Sequence, residues 1–349
     1  MGVEPDKAIE CCREAKRILI IKTNLLGDCL NFIPVANFLR KFASSAKISW
    51  LVTRPGYAVV SELGDVDDII LLEDKFLYNY KNLWKTASWL REQKFDLLVT
   101  SYQEECFLIG LLALLSRAPK RAGYNERNRG WFFNIVALKG DAERRVEING
   151  QIIKALGGGD VRDYVYVPRA NAQGRAEFAE RLEREFGLRP KNPLCVLHLF
   201  SSKPTKSWRI EHADELIIRL KQELGLTSAL VGSEPEVRKW GEEKKSLGLI
   251  NLAGQISVIE LYYLIEQAGL FIGIDSFPLQ LTEFAVVNSI ALFGSTKVSE
   301  NQVPSAKVVR AEVDCAPCWP EKEECDQGYK CWMELRPDLI LKAAKELAS

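Results

Sequence analysis

The sequence predicts an α/β protein made of two Rossmann-like domains facing across a cleft. Short apolar runs alternate with helix-length segments along the chain, the pattern of βαβ units and parallel sheets. The alternation stops at a charged amphipathic stretch over 171–186, closed by Gly187 and Pro190, and then begins again. At 349 residues the chain is also longer than one ordinary core requires and suits two domains.

In the first half the runs ILII (18–21), ISWLV (48–52), DIILL (68–72), DLLVT (96–100) and KRAGY (120–124) read as strands. Helices fit 31–43 and 83–93, and the apolar FLIGLLALL (107–115) fits a buried helix. In the second half PLCVLHL (193–199), TSALVG (227–232), LINLAG (249–254), LFIGI (270–274) and SIALFG (289–294) are strands. Helices there fit 211–224, 234–246 and 258–268, and Ser233/Glu236 and Ser257/Glu260 have capping-box spacing. The domains are read as 1–168 and 169–336, followed by a last helix over 337–349 that packs back towards the N-terminal domain. Gly157–Gly159 follows helical QIIKAL and reads as a C-cap and turn.

Forty-seven basic residues balance forty-seven acidic ones, so no overall field recruits nucleic acid. The N-terminal segment lacks an apolar core, and the longest apolar run is about half of what a bilayer needs. The chain is therefore read as cytoplasmic and at most peripheral to a membrane. In a reducing compartment nine cysteines argue against a disulfide framework. Cys11, Cys12, Cys29, Cys106 and Cys195 are scattered small thiols, but Cys315, Cys318, Cys325 and Cys331 fall as C-x2-C-x6-C-x5-C. Four thiolates so spaced suit a structural tetrahedral Zn²⁺ or iron ion, with no open position for catalysis.

Chemistry-bearing residues collect where strands hand over to helices, the ligand side of an open parallel sheet. Asp28, in KTNLLGDCLNFIP, is either a helix N-cap or a base for an incoming hydroxyl. After the strand VLHL, the residues Ser201, Ser202, Lys206 and Trp208 lie in a loop leading into a helix, a combination suited to a pyrophosphate. Glu234 or Glu236 follows the next strand and would accept hydrogen bonds from ribose hydroxyls, the capping box being the other reading of Glu236. Asp275, Ser276 and Gln280 follow a third, and Gly294, Ser295 and Thr296 a fourth. Neither G-x-G-x-x-G nor a P-loop is present, which removes the best support for dehydrogenase and P-loop NTPase readings. The D-x-D at Asp65–Asp67 precedes a strand and reads as a surface turn.

With KTNLLGDCLNFIP, HLFSSKPTKSW, DSFPLQLTEFAVVNSIALFGSTK and the CAPCW…CWMEL tail in view, the chain resembles glycosyltransferase family 9, the ADP-heptose:lipopolysaccharide heptosyltransferases. The resemblance spans nearly everything from Arg17 to Leu347. It implies a GT-B fold and an inverting, metal-independent transfer of a sugar, a heptose, from an ADP-linked donor to a hydroxyl of an anionic cell-envelope glycolipid or related glycan. It implies Asp28 as general base, Ser201, Ser202 and Lys206 on the donor diphosphate, Asp275 near the donor sugar, and a glutamate after Gly232 on ribose or base. No cofactor is implied for the chemistry. Two positions depart from the family pattern: Phe277 stands where glycine is usual, and Gln280 where histidine is.

On this reading the acceptor belongs to the first half. There Arg121, Arg127 and Arg129, beside Arg117, Lys120, Tyr124, Trp131 and Phe132, would meet an anionic glycolipid and approach the inner membrane face. A GT-B-shaped sugar-nucleotide epimerase is the enzymatic alternative. It needs acid/base pairs near the sugar, and His198 and His212 are the chain's two histidines, His198 being read as core. A non-catalytic two-lobed binding protein is the other alternative, and it would tolerate loss of Asp28 without any change in turnover.

Overall fold

The apolar runs pair as two separate all-parallel sheets. The structure, a computed structural model, describes residues 5–72, 80–102, 107–124, 130–189, 193–233, 235–319 and 324–348. The chain divides into two units, Met1–Arg169 and Ala170–Ser349.

In the first unit the strands are β1 (Arg17–Ile21), β2 (Lys47–Thr53), β3 (Asp68–Leu72), β4 (Leu97–Thr100), β5 (Lys120–Tyr124) and β6 (Ile135–Ala137), in the order β3-β2-β1-β4-β5-β6. In the second they are β7 (Leu194–His198), β8 (Thr227–Leu230), β9 (Ile250–Asn251), β10 (Leu270–Ile274), β11 (Ser289–Leu292) and β12 (Ala306–Val309), in the order β12-β11-β10-β7-β8-β9. Each order reverses beside the first strand of its unit, which puts β1 and β4, and β7 and β10, at the switch point where such sheets bind ligands. The central strands are buried on both faces, as parallel sheets covered by helices must be.

The expected strands are all present. Two further strands, β6 and β12, lie at sheet edges: IVA is largely buried but only three residues long, and AKVV is mostly half-buried, so neither carries a long apolar run. A short helix, Leu26–Leu30, which the sequence reading does not give, precedes the helix expected over 31–43, which is observed as Ile33–Phe42. Pro34 lies in the first turn of the second one, where its missing N–H costs nothing and its fixed φ starts a helix afresh. The glycine run behaves as a C-cap: Gly157 has φ +82°, and the N–H of Gly158 donates to the carbonyl of Ile153. Asp67 accepts from the Ile48 N–H and from Arg40, so the D-x-D is a structural turn.

The last helix is Pro337–Ala348. It packs within the second unit on the helix Ile210–Leu224 and on β11 and β12, because Ile340, Leu341, Ala343 and Ala344 form an apolar stripe that joins that unit's core. Arg219 of the underlying helix fixes it by an ion pair with Asp338 at 2.6 Å.

Candidate functional site

In the first unit the chain leaves β1 through Lys22–Leu25 and enters the short helix Leu26–Leu30. Leu25 is the N-cap and Asp28 lies three residues further in, so Asp28 does not cap the helix. Its side chain keeps 22% of its surface exposed, and Oδ1 lies 3.8 Å from Nη1 of Arg145. The loop beneath is firmly held: Trp50 Nε1 donates to the Lys22 carbonyl, Thr53 Oγ1 to the Thr23 carbonyl, and buried Lys22 donates to Asn24 Oδ1. Gly56 lets the helix Arg54–Leu63 approach, since a Cβ there would sit 2.4 Å from Cys29 Sγ. Asp28 is thus an accessible carboxylate at the end of β1, on a braced turn.

Of the three arginines expected to meet an acceptor, Arg127 and Arg129 lie outside the described residues. Arg121 has a structural task instead: Nε donates to the Phe132 carbonyl at 2.9 Å and Nη1 to the Ala118 carbonyl at 2.6 Å. That guanidinium closes the loop between β5 and β6, and its partial burial lowers its pKa.

In the second unit the groups gather at the carboxyl ends of β7, β10 and β11. After β7, Ser201 and exposed Ser202 lead into the 3₁₀ turn Pro204–Lys206. Ser207, which the sequence reading passes over, ties this loop: its Oγ accepts from the Ser201 N–H at 2.8 Å and donates to the Ser201 carbonyl at 2.9 Å. Lys206 Nζ lies 3.8 Å from Asp275 Oδ2, with the lysine 22% and the aspartate 4% exposed. Asn301 Nδ2 donates to the same oxygen at 3.1 Å. Ser276 starts the helix Phe277–Ala285, yet its hydroxyl does not cap that helix; it lies 2.9 Å from His198 Nδ1. Burial, and secondarily the nearby charge of Lys206, push His198 down to about 4, so the ring is neutral at ordinary pH. Gln280 is half-buried one turn along that helix, and Glu234 lies outside the described residues.

Several residues read as donor contacts support the loop from behind instead. Trp208 is buried, and its Nε1 donates to the Leu335 carbonyl at 2.8 Å, so it belongs to the core. Gly294 makes room for Trp332: a Cβ there would lie 2.2 Å from Trp332 Cε2. Ser295 is buried and donates to the Thr205 carbonyl at 2.8 Å, and Trp332 Nε1 donates to that same carbonyl at 2.7 Å. The Ser295 carbonyl accepts from the N–H groups of Cys318 and Trp319. Thr296 is buried beside it. Gly294, Ser295 and Trp332 therefore bind the four-cysteine tail to the Thr205 turn.

Cys315, Cys318, Cys325 and Cys331 line one cavity of about 20 Å³ with Thr205, Ser295, Asp326, Gln327 and Tyr329. That volume holds about one water-sized particle. Among the described residues no group of three or more His, Cys, Asp or Glu side chains meets metal-holding spacing. Four thiols lining one small cavity are nevertheless a donor set of the kind that soft cations take. Burial, and then the neighbouring Cys315 and Cys318, push the Cys331 thiol up to about 11. The N–H of Tyr329 donates to Cys325 Sγ at 3.2 Å, the kind of outer contact that orients a thiolate ligand.

Residues 83–329 match the family model described as glycosyltransferase family 9 (heptosyltransferase). Over 336 residues, 92% of this chain and 95% of the relative, the sequence is 25% identical to lipopolysaccharide heptosyltransferase 3 of Escherichia coli K12. A stretch of 109 residues, 30% of this chain, is 29% identical to lipooligosaccharide heptosyltransferase 2 of Campylobacter jejuni and spans 34% of that protein. The solved structure of the glycosyl transferase family 9 from Veillonella parvula DSM 2008 matches with a TM-score of 0.75 at 19% identity, over 95% of this chain and 97% of that one. That likeness gives the fold class, GT-B. No helix among the described residues is long and apolar enough to cross a membrane.

Proposed function

From glycosyltransferase family 9, to which this chain belongs, we propose an inverting transfer of a heptose from an ADP-linked donor to a hydroxyl of an anionic cell-envelope glycolipid. Asp28 takes the proton of the acceptor hydroxyl as its oxygen attacks the anomeric carbon, and the bond to the nucleoside diphosphate breaks on the opposite face. A positioned base of this kind contributes about 10²- to 10⁴-fold. The departing diphosphate gathers negative charge, which Lys206 and the hydroxyls of Ser201 and Ser202 stabilise, and this is the larger share of the acceleration. Asp275, fixed by Lys206 and Asn301, faces the donor sugar, and Ser276 is held beside it by His198. The proton transfer and the displacement use these side chains alone. The reaction belongs on the inner face of the membrane, where such a glycolipid acceptor presents its headgroup.

The observation that carries the reading is the state of Asp28, an accessible acid at the end of β1 with no capping role. The four thiols would hold a structural Zn²⁺ or iron ion that cross-links the tail behind the donor turn and takes no part in the transfer. The proposal is tested with ADP-heptose and a heptose-deficient lipopolysaccharide core saccharide. Asp28→Asn should lower kcat by at least about 100-fold while ADP binding changes less than about twofold. Transfer at wild-type rate by that variant would refute the base assignment, and retention of anomeric configuration in the product, read by NMR, would refute the inverting course.

A further inference from the structure

Arg145 opens the helix Arg145–Ala155, where a positive charge opposes the helix dipole. Its neighbour Arg144 shares that disadvantage but has Glu147 of the same turn, at 2.9 Å, to balance it. Arg145 instead extends to Asp28, and the two side chains are 27% and 22% exposed, so both open on the same solvent-reached spot. At 3.8 Å the contact is an ion pair longer than a charge-assisted hydrogen bond. The helix is in fixed register with Asp28. One turn along, buried Asn149 donates to the carbonyl of Asn31, which caps the short helix that carries Asp28. A guanidinium is therefore held on a rigid element beside the candidate base, at a helix end that also favours anions.

We infer that Arg145 is a specificity residue that takes an anionic group of the acceptor, a carboxylate or a phosphate, next to the hydroxyl received by Asp28. This rests on the transferase reading above. A hydroxyl within hydrogen-bond reach of Asp28 and an anion oxygen in a charge-assisted bond to Arg145 lie within roughly 9 Å of each other. That span covers substituents on the same sugar ring or on its neighbour. Arg145 thus distinguishes an anionic acceptor from a neutral sugar or from water, either of which would reach Asp28 without engaging the guanidinium.

The test uses the full chain, ADP-heptose and three acceptors: a deacylated heptose-deficient core saccharide, the same saccharide dephosphorylated, and the same saccharide with its carboxyls reduced. Arg145→Gln should raise the KM for the intact acceptor about 10- to 100-fold, the range for losing a hydrogen bond to a charged group. The donor KM and kcat should stay within about threefold of wild type, and Arg145→Lys should recover part of the loss. The stripped acceptor on which wild type and R145Q become equal identifies the anion. A fall in kcat with acceptor KM unchanged would overturn the inference in favour of a residue that merely orients Asp28, and so would equal losses on all three acceptors. If the wild-type chain transfers nothing, the transferase reading fails. Calorimetric binding of the intact saccharide, weaker to R145Q than to wild type, would then still support Arg145 as the anion contact, and equal binding would overturn it.

Discussion

The carbonyl of Thr205, in the turn that ends at Lys206, receives two buried hydrogen bonds, 2.8 Å from Ser295 Oγ and 2.7 Å from Trp332 Nε1. Ser295→Ala removes one donor but leaves the oxygen satisfied by the other, so its cost is that of one neutral bond, about 1 kcal/mol. Trp332→Phe removes the other bond and also leaves space against Gly294, for about 2 to 4 kcal/mol. In the double variant the oxygen is buried with neither bond, and an unmet buried acceptor costs about 1–3 kcal/mol beyond the mean bond. The two substitutions should therefore be non-additive by at least about 1 kcal/mol. For a domain of this size that coupling is roughly 2–4 °C in the transition of the second unit. Since the carbonyl anchors the Lys206 turn, ADP affinity should follow, falling about three- to tenfold in the double variant (each tenfold being about 1.4 kcal/mol). Thermal unfolding and ADP calorimetry on the four proteins of the cycle measure both quantities. Strict additivity with unchanged ADP affinity would show that the tail does not support the donor turn.

His198 is buried and depressed to about 4, so below its unfolded value of about 6.5 the unfolded chain binds the extra proton first. Wild type should therefore lose about 3 kcal/mol relative to His198→Gln as pH falls from about 6.5 to 4, the difference between the two staying constant above 6.5, in urea titrations across that range. Lys206→Met leaves the buried Asp275 carboxylate with Asn301 and without its cation, and should weaken ADP binding at least about tenfold in calorimetry. Arg121→Ala should destabilise the first unit by about 1–3 kcal/mol in denaturant unfolding while leaving acceptor KM within about twofold, since the residue holds two carbonyls. If the thiols hold an ion, Cys331→Ser should lower the metal per chain in elemental analysis and the melting temperature of the second unit together.

Period and composition made the two sheets readable, because strands buried on both faces must be continuously apolar and ILII, LFIGI and SIALF cannot be much else. The edge strands β6 and β12 lack that signal, since IVA is too short to show a run and half-burial asks little of AKVV. The break between Leu30 and Ile33 could have been anticipated from Pro34. The site was readable at strand ends, where Asp28, Lys206 and Asp275 stand out as charges beside apolar runs. The pattern did not separate groups facing solvent from groups facing the protein. Ser201 and Ser295 look alike in sequence, yet Ser295 turns inward to Thr205 because Trp332 occupies the other side of Gly294. Trp208 is likewise turned to Leu335 by a contact 127 positions away. Arg145 gave no sign at all: it stands far from Asp28 in sequence, and only the packing of its helix against the Asp28 turn puts them together.

Because Thr205 is held by Ser295 and Trp332, completing all six strands of the second sheet does not complete the turn that ends at Lys206. A nascent chain that has laid down β12 still lacks Cys318, Trp319 and Trp332 behind Lys206. The support behind the Lys206 turn would then arrive only after Trp332 is made, and a chain released before it would fold its sheet yet leave that turn unsupported.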